Sequence, residues 1–214
     1  MARPTQRDGN GTAARILEVA ERLVQERGFN GFSYADIAAE LGITKASLHY
    51  HFAGKAELGE ALIDRYASRF ADALRAISGE EGDAHAKLDA YANLYADVLR
   101  ERRMCLCGML AADYETLPPP MRDAVIHFFD DNEAWLAAVL GQGERDGSIR
   151  LPGPARDAAR MIVGALEGAM LVARPYGDVG RFQASARQLL ASVVGAPQPQ
   201  PRSRRAADAA TRAH

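Results

Sequence analysis

The sequence predicts an all-α chain, with a small N-terminal three-helix domain joined by one long helix to a larger C-terminal helical domain. Three observations predict it. Apolar residues recur three and four positions apart in one stretch after another, which is the period of a helix face, and no stretch reads as a strand. Glycine or proline closes most of those stretches, at Gly28, Gly42, the LPPPM run and Gly177. The third observation is local: residues 33–55, SYADIAAELGITKASLHYHFAGK, read as two short helices around a tight turn.

Taken in order, residues 1–11 are polar and glycine-containing and are expected to be a disordered arm, with Arg3 and Arg7 able to reach a duplex backbone or minor groove. A first helix is predicted from Thr12, with Ile16, Leu17, Ala20, Leu23 and Val24 on its inner face and Gly28 as its stop. Phe29 and Phe32 should plug a small core. Ser33 with Asp36 three residues later is a capping box, after which Ile37, Ala38 and Leu41 form an apolar face. Gly42 suits a left-handed stop, and Thr44 can cap a second helix whose inward residues are Leu48 and Phe52. This is a helix-turn-helix, the arrangement that lays its second helix in the DNA major groove.

The outward face of that second helix agrees. No acidic residue falls between Glu40 and Glu57, whereas Lys45, His49, His51 and Lys55 do. A surface free of carboxylates is what a polyanion requires. Lys45 and Ser47 can meet base edges, Ala46 a thymine methyl, and Thr44 and Tyr50 phosphate oxygens. Ser33 and Tyr34, opening the first of the two helices, join the candidate DNA contacts.

With a leading helix, the turn, DIAAELGITKASLHYHFAGK and a long following helix, residues 12–62 resemble the N-terminal domain of TetR/AcrR-family transcriptional regulators. The resemblance implies a homodimeric repressor of a palindromic operator, released when a small-molecule effector enters the C-terminal domain. It also implies phosphate contacts at Thr44, Tyr50 and Lys55 and base reading at Lys45, Ala46, Ser47 and His49. Family members commonly carry an aromatic residue where this chain has His49, so the half-site preference is its own.

Beyond residues 12–55, the helix-turn-helix domain, a connecting helix is predicted over 56–78, with Leu58, Leu62, Tyr66, Phe70 and Leu74 as its stripe. Residues 79–195 form the expected effector-binding and dimerisation domain. Its helices carry Tyr91 and Tyr95, the apolar stretch MCLCGMLAA, a run from about Met121 to Gly141 after the prolines, a stripe from Met161 to Met170, and a last helix near 179–194. Tyr91, Tyr95, Met104, Met109, Tyr114, Phe128, Trp135, Met161 and Met170 are candidates for a mostly apolar effector pocket. Gly164, Ala165, Gly168, Ala169, Leu189 and Val193 on the last two helices are candidates for a dimer interface, the pair that the resemblance places in a four-helix bundle. Residues 196–214 are proline-broken and basic and are expected to be a disordered tail.

Charge and cysteine content narrow the function further. The net charge is −2, with ten basic and ten acidic residues up to position 78, twelve and seventeen over 79–195, and four and one in the tail. DNA contact is therefore local to the head. Nothing resembles a signal peptide or a membrane span, so no membrane partner and a cytoplasmic location are expected. Cys105 and Cys107, near Arg102 and Arg103, allow an alternative in which a regulator, or more remotely a helical redox enzyme, uses thiol chemistry. No nucleophile–base set, phosphate loop or metal quartet appears, so the expectation is a non-enzyme without cofactor or metal, whose partners are double-stranded operator DNA, a small-molecule effector and a second copy of itself.

Overall fold

The computed structural model describes residues 6–195, all-helical apart from turns and a single bridge between Arg150 and Gly195. Its helices are α1 (Gln6–Arg27), α2 (Tyr34–Leu41), α3 (Lys45–His51), α4 (Lys55–Gly79), α5 (Ala84–Arg100), α6 (Leu106–Ala112), α7 (Pro119–Asp146), α8 (Ala155–Ala173) and α9 (Val179–Val193). No helix among the described residues is long and apolar enough to cross a membrane.

α1 to α3 close around a compact head core. Ile16, Ala20, Leu23 and Val24 of α1 meet Ile37 and Ala38 of α2, Leu48 of α3, and the edge-to-face pair Phe29 and Phe32, all buried. An Arg22 fork reaches both Glu26 and Glu40, pinning α2 to α1. α4 then runs 25 residues, about 37 Å at 1.5 Å per residue, out of the head and along the body. Its buried stripe packs on α7, and Gly59 permits a close approach, since a Cβ there would lie 2.5 Å from the Met121 sulfur and terminal methyl. The body is completed by α8 between α7 and α9, with α5 against α9 and α7.

Four helices have bounds other than the sequence expectation. α1 begins at Gln6, so residues 6–11 are helical rather than a disordered arm: adding a turn to an existing helix avoids the nucleation cost. Residues 1–5 and the tail 196–214 lie outside the described residues. The MCLCGMLAA helix starts only at Leu106, with Cys105 as its cap. α7 begins at Pro119, where a missing N–H does no harm, and passes through Gly141 to stop at Gly147, whose φ of 78° is the left-handed turn. The connecting helix reaches Gly79.

Head and body also touch away from α4. Phe29 N–H donates to Asp113 Oδ2 at 2.7 Å, Asn30 Nδ2 to Thr116 Oγ1 at 2.7 Å, and Met104 N–H to Gln25 O at 3.2 Å, while Arg174 donates to Glu26 O. The end of α1 is thereby held by the segment around α6.

Candidate nucleic-acid interface

The turn forms as its chemistry dictates. Asp36 accepts from both Ser33 N–H and Ser33 Oγ at 2.7 Å, closing the capping box. Gly42 adopts φ 66°, and Ile43 N–H returns to Ala38 O at 3.1 Å. Thr44 Oγ1 accepts from Ser47 N–H at 3.1 Å and so starts α3. Leu48 is fully buried and Phe52 nearly so, which fixes the helix's rotation. Lys45, Ala46, His49 and Tyr50 consequently face solvent with Ser47 half-buried, and Tyr50 is 85% exposed.

Tyr34 braces this face from α2. Its hydroxyl donates to Phe52 O at 3.1 Å and its ring lies 4.8 Å from that of His49. Burial pushes its phenol pKa up to about 12, so it remains a donor. His49 Nδ1 sits 3.1 Å from Ala53 O. A carbonyl only accepts, so in the neutral ring Nδ1 carries the proton and the outward Nε2 is an acceptor. Ser33, Tyr34, Lys45, His49 and Lys55 line one shallow groove of about 390 Å³ beside α3.

Lys55, the remaining expected phosphate contact, is engaged within the head. Its ammonium donates to Phe32 O at 2.6 Å and to Phe29 O, and lies 4.1 Å from the centroid of the Phe32 ring. Burial lowers its pKa, opposed by the carboxylates of Asp113 and Asp36. As placed, it staples α4 to the 29–32 turn.

Two family models match the chain: bacterial regulatory proteins of the tetR family over residues 16–62, and the tetracyclin repressor-like C-terminal domain over residues 84–189. A TetR-family regulator structure from Agrobacterium tumefaciens superposes with a TM-score of 0.84 at 32% identity, covering 87% of this chain and all of that one. The chain belongs to the TetR family. A second TetR regulator structure, from Legionella pneumophila, is also 32% identical, with a TM-score of 0.72 over 90% of this chain and all of its own. The transcriptional regulator TtgR of Pseudomonas putida is 42% identical over 64 residues, a match that spans only 30% of either chain.

In this TetR-family transcriptional regulator the expected pocket residues separate into three places. Tyr91, Tyr95, Phe128 and Trp135 come together with Tyr66 and Phe70 in a ring cluster: Trp135 stacks on Tyr91 at 5.6 Å, and Phe70 meets Tyr91, Tyr95 and Phe128 edge-on at 5.2–6.1 Å. Within it the Tyr91 and Tyr95 hydroxyls are 3.0 Å apart, and Tyr91 also donates to Asn132 Oδ1 at 3.2 Å. Met104, Met109 and Tyr114 instead lie near the head–body joint, Met109 sulfur against Arg174 and Tyr114 beneath Arg122. Met170 is buried on α8, but Met161, on the same helix, is 49% exposed and lines no interior.

The thiols are not activated. Burial, then the nearby Glu167 carboxyl, pushes both Cys105 and Cys107 well above the ordinary thiol range, the opposite of what a sensing thiolate requires. Of the expected arginines, Arg103 pairs with Glu101 at 3.2 Å. Glu167 is itself the residue that sequence reasoning missed: burial raises its pKa from about 4.5 to about 7, and its Oε1 has no hydrogen-bond partner.

On α8 and α9 the interface candidates also divide. Gly164 and Gly168 face open space, with nothing within 4 Å of a Cβ built on either, and Ala165, Ala169 and Leu189 are half-buried. Met161, Leu171 and Val172 extend this strip, the last two 61% and 55% exposed. Val193 differs from the expectation: it is 1% exposed, buried within its own chain.

Proposed function

We propose that the protein binds a palindromic operator as a homodimer and releases it when a small molecule enters the C-terminal domain. The observation that carries the reading is the carboxylate-free outer face of α3, held by a buried Leu48 beneath an almost fully exposed Tyr50. Thr44 and Tyr50 suit phosphate oxygens, while Lys45, Ala46, Ser47 and His49 suit base edges. The acceptor Nε2 of His49 favours an exocyclic amine of adenine or cytosine over a guanine edge.

One such helix reads few base pairs. A two-fold pair sets two of them about 34–36 Å apart on successive turns of the groove. The α8 strip of Met161, Gly164, Gly168, Leu171 and Val172 supports the pairing, because exposed apolar residues between glycines let two helices approach closely. The ring cluster around Tyr91 and Phe128, with Glu167 as its buried carboxyl, is the proposed effector site. An effector acts only by preferring one arrangement of the body over another. A cytoplasmic, non-enzymatic role accords with this reading.

The test is selection of bound sequences from a random duplex pool. An enriched inverted repeat whose half-sites lie one turn apart supports the proposal, and a pool that stays random at low salt refutes it.

A further inference from the structure

Where α1 meets α4 and the segment after α5 there is a second site, a cavity of about 350 Å³, within the range of small-ligand pockets. Three of the residues that line it each carry one buried polar atom without a hydrogen-bond partner: Glu21 Oε2, Gln25 Oε1 and Arg103 Nε. The first two side chains belong to residues only 7% and 3% exposed. A buried polar atom left unpaired forfeits its hydration with no return, so three gathered in one place mark a place built to receive something.

The local chain places them. Glu21 and Gln25 are four residues apart and share a face of α1. Arg102 adopts φ 60°, a left-handed turn that sends Arg103 N–H back to Val98 O at 3.1 Å and Met104 N–H onto Gln25 O. Four of the charges around the cavity are already paired: Arg69 of α4 donates to Glu21 Oε1, and Arg103 Nη1 lies 3.2 Å from Glu101. The buried atoms left without a partner are two acceptor oxygens on α1 and one guanidinium N–H from beyond α5.

We propose that this cavity binds a small zwitterion, an amino-carboxylate of free amino-acid size, with its ammonium on Glu21 and Gln25 and its carboxylate on Arg103. An ammonium supplies donors for two oxygens at once, and a carboxylate accepts from Nε; both bonds are charge-assisted. Four carboxylates and three guanidinium groups line the cavity, so a polyanion or a polycation would each meet like charge, whereas a zwitterion is complementary to both walls. The ligand would join the head to the body directly. The site is separate from the ring cluster, yet Tyr66 belongs to both, lining the cavity and lying 5.6 Å from the Phe128 ring.

The test needs no DNA and is independent of the operator reading. The full-length protein is titrated calorimetrically with each of the twenty L-amino acids, and with spermidine and inorganic phosphate. The expected result is one amino acid bound per chain, at least tenfold more weakly by Gln25→Leu and by Arg103→Lys, which keeps the charge but removes Nε. Should the leucine variant fail to fold, the lysine variant decides. Binding of spermidine or phosphate alone, binding that survives Arg103→Lys, or no binding at all, which would make the cavity a water site, each overturns the proposal.

Discussion

Replacing Glu167 by Gln should stabilise the protein at alkaline pH and leave it almost unchanged under mild acid. In the unfolded chain this carboxyl releases its proton near 4.5, and in the folded chain only near 7, because burial beside Cys105 and Cys107 penalises the anion. Between those values the folded state holds a proton that the unfolded state has lost, so stability falls as pH rises; above 7 the loss is constant. A displacement of about 2.5 units at 1.36 kcal/mol each gives about 3 kcal/mol. The glutamine side chain has the same shape and no charge to desolvate, and it is expected to recover most of this. For a chain of this length that corresponds to roughly 6–12 °C in Tm at pH 8. The assay is thermal unfolding of both proteins from pH 5 to 8.5 at one fixed concentration, since dimerisation would otherwise move Tm. Curves that stay parallel over that range would refute a buried, proton-holding Glu167.

On the DNA-facing side, Tyr50→Phe removes one phenolic hydrogen bond worth about 1 kcal/mol, an approximately fivefold loss on every sequence, whereas Lys45→Ala should also lower the salt slope by about one and relax base preference, both read by anisotropy titration. Lys55→Met leaves Phe29 O and Phe32 O without their donor and should cost about 1–3 kcal/mol in urea unfolding with little change in salt slope. The reverse pattern would return Lys55 to the phosphate backbone. Leu171→Glu places a charge on the exposed α8 strip and should shift sedimentation from dimer to monomer, and an unchanged dimer would put the interface elsewhere.

The DNA-facing element was legible because its determinants are local. Ser33 with Asp36, Gly42 and Thr44 act within four residues of themselves, and each does in the structure what its chemistry requires. Lys55 was not legible, since its partners are carbonyls of an irregular turn more than twenty residues earlier. Met161 and Val193 exchanged sides for a related reason. On α8 the exposed Met161, Leu171 and Val172 are as apolar as the buried stripe, and at the end of α9 Val193 is buried by its own chain, so hydrophobicity alone did not tell a solvent-facing position from a packed one. Glu167 had a visible signal as the lone acid within MIVGALEGAMLVA, but its neighbours at Cys105 and Cys107 are sixty residues away. Glu21 and Gln25 carried less, for both fit an ordinary helix surface until Arg103 is folded against them.

The attachment of the head decides how a signal can reach it. Were α4 the sole link, a tilt of that helix would swing α1 to α3 freely, and any body rearrangement would act through one lever. The end of α1, however, is bonded to Asp113, Thr116, Met104 and Arg174. α4 cannot tilt without either breaking those bonds or carrying the α6 segment along. Breaking them exposes Phe29 N–H and leaves the Asp113 carboxylate without its donor, a cost of a few kcal/mol that a ligand's differential affinity must exceed. Moving the 104–116 segment with the head keeps the bonds to Met104, Asp113 and Thr116 and gives up only the one from Arg174, so it costs less. α6 meets Glu167 through Cys105 and Gly108 at one end, and Asp113, just past the other, accepts from Phe29 N–H, so a change at Glu167 would reach the head through α6 as well as through α4.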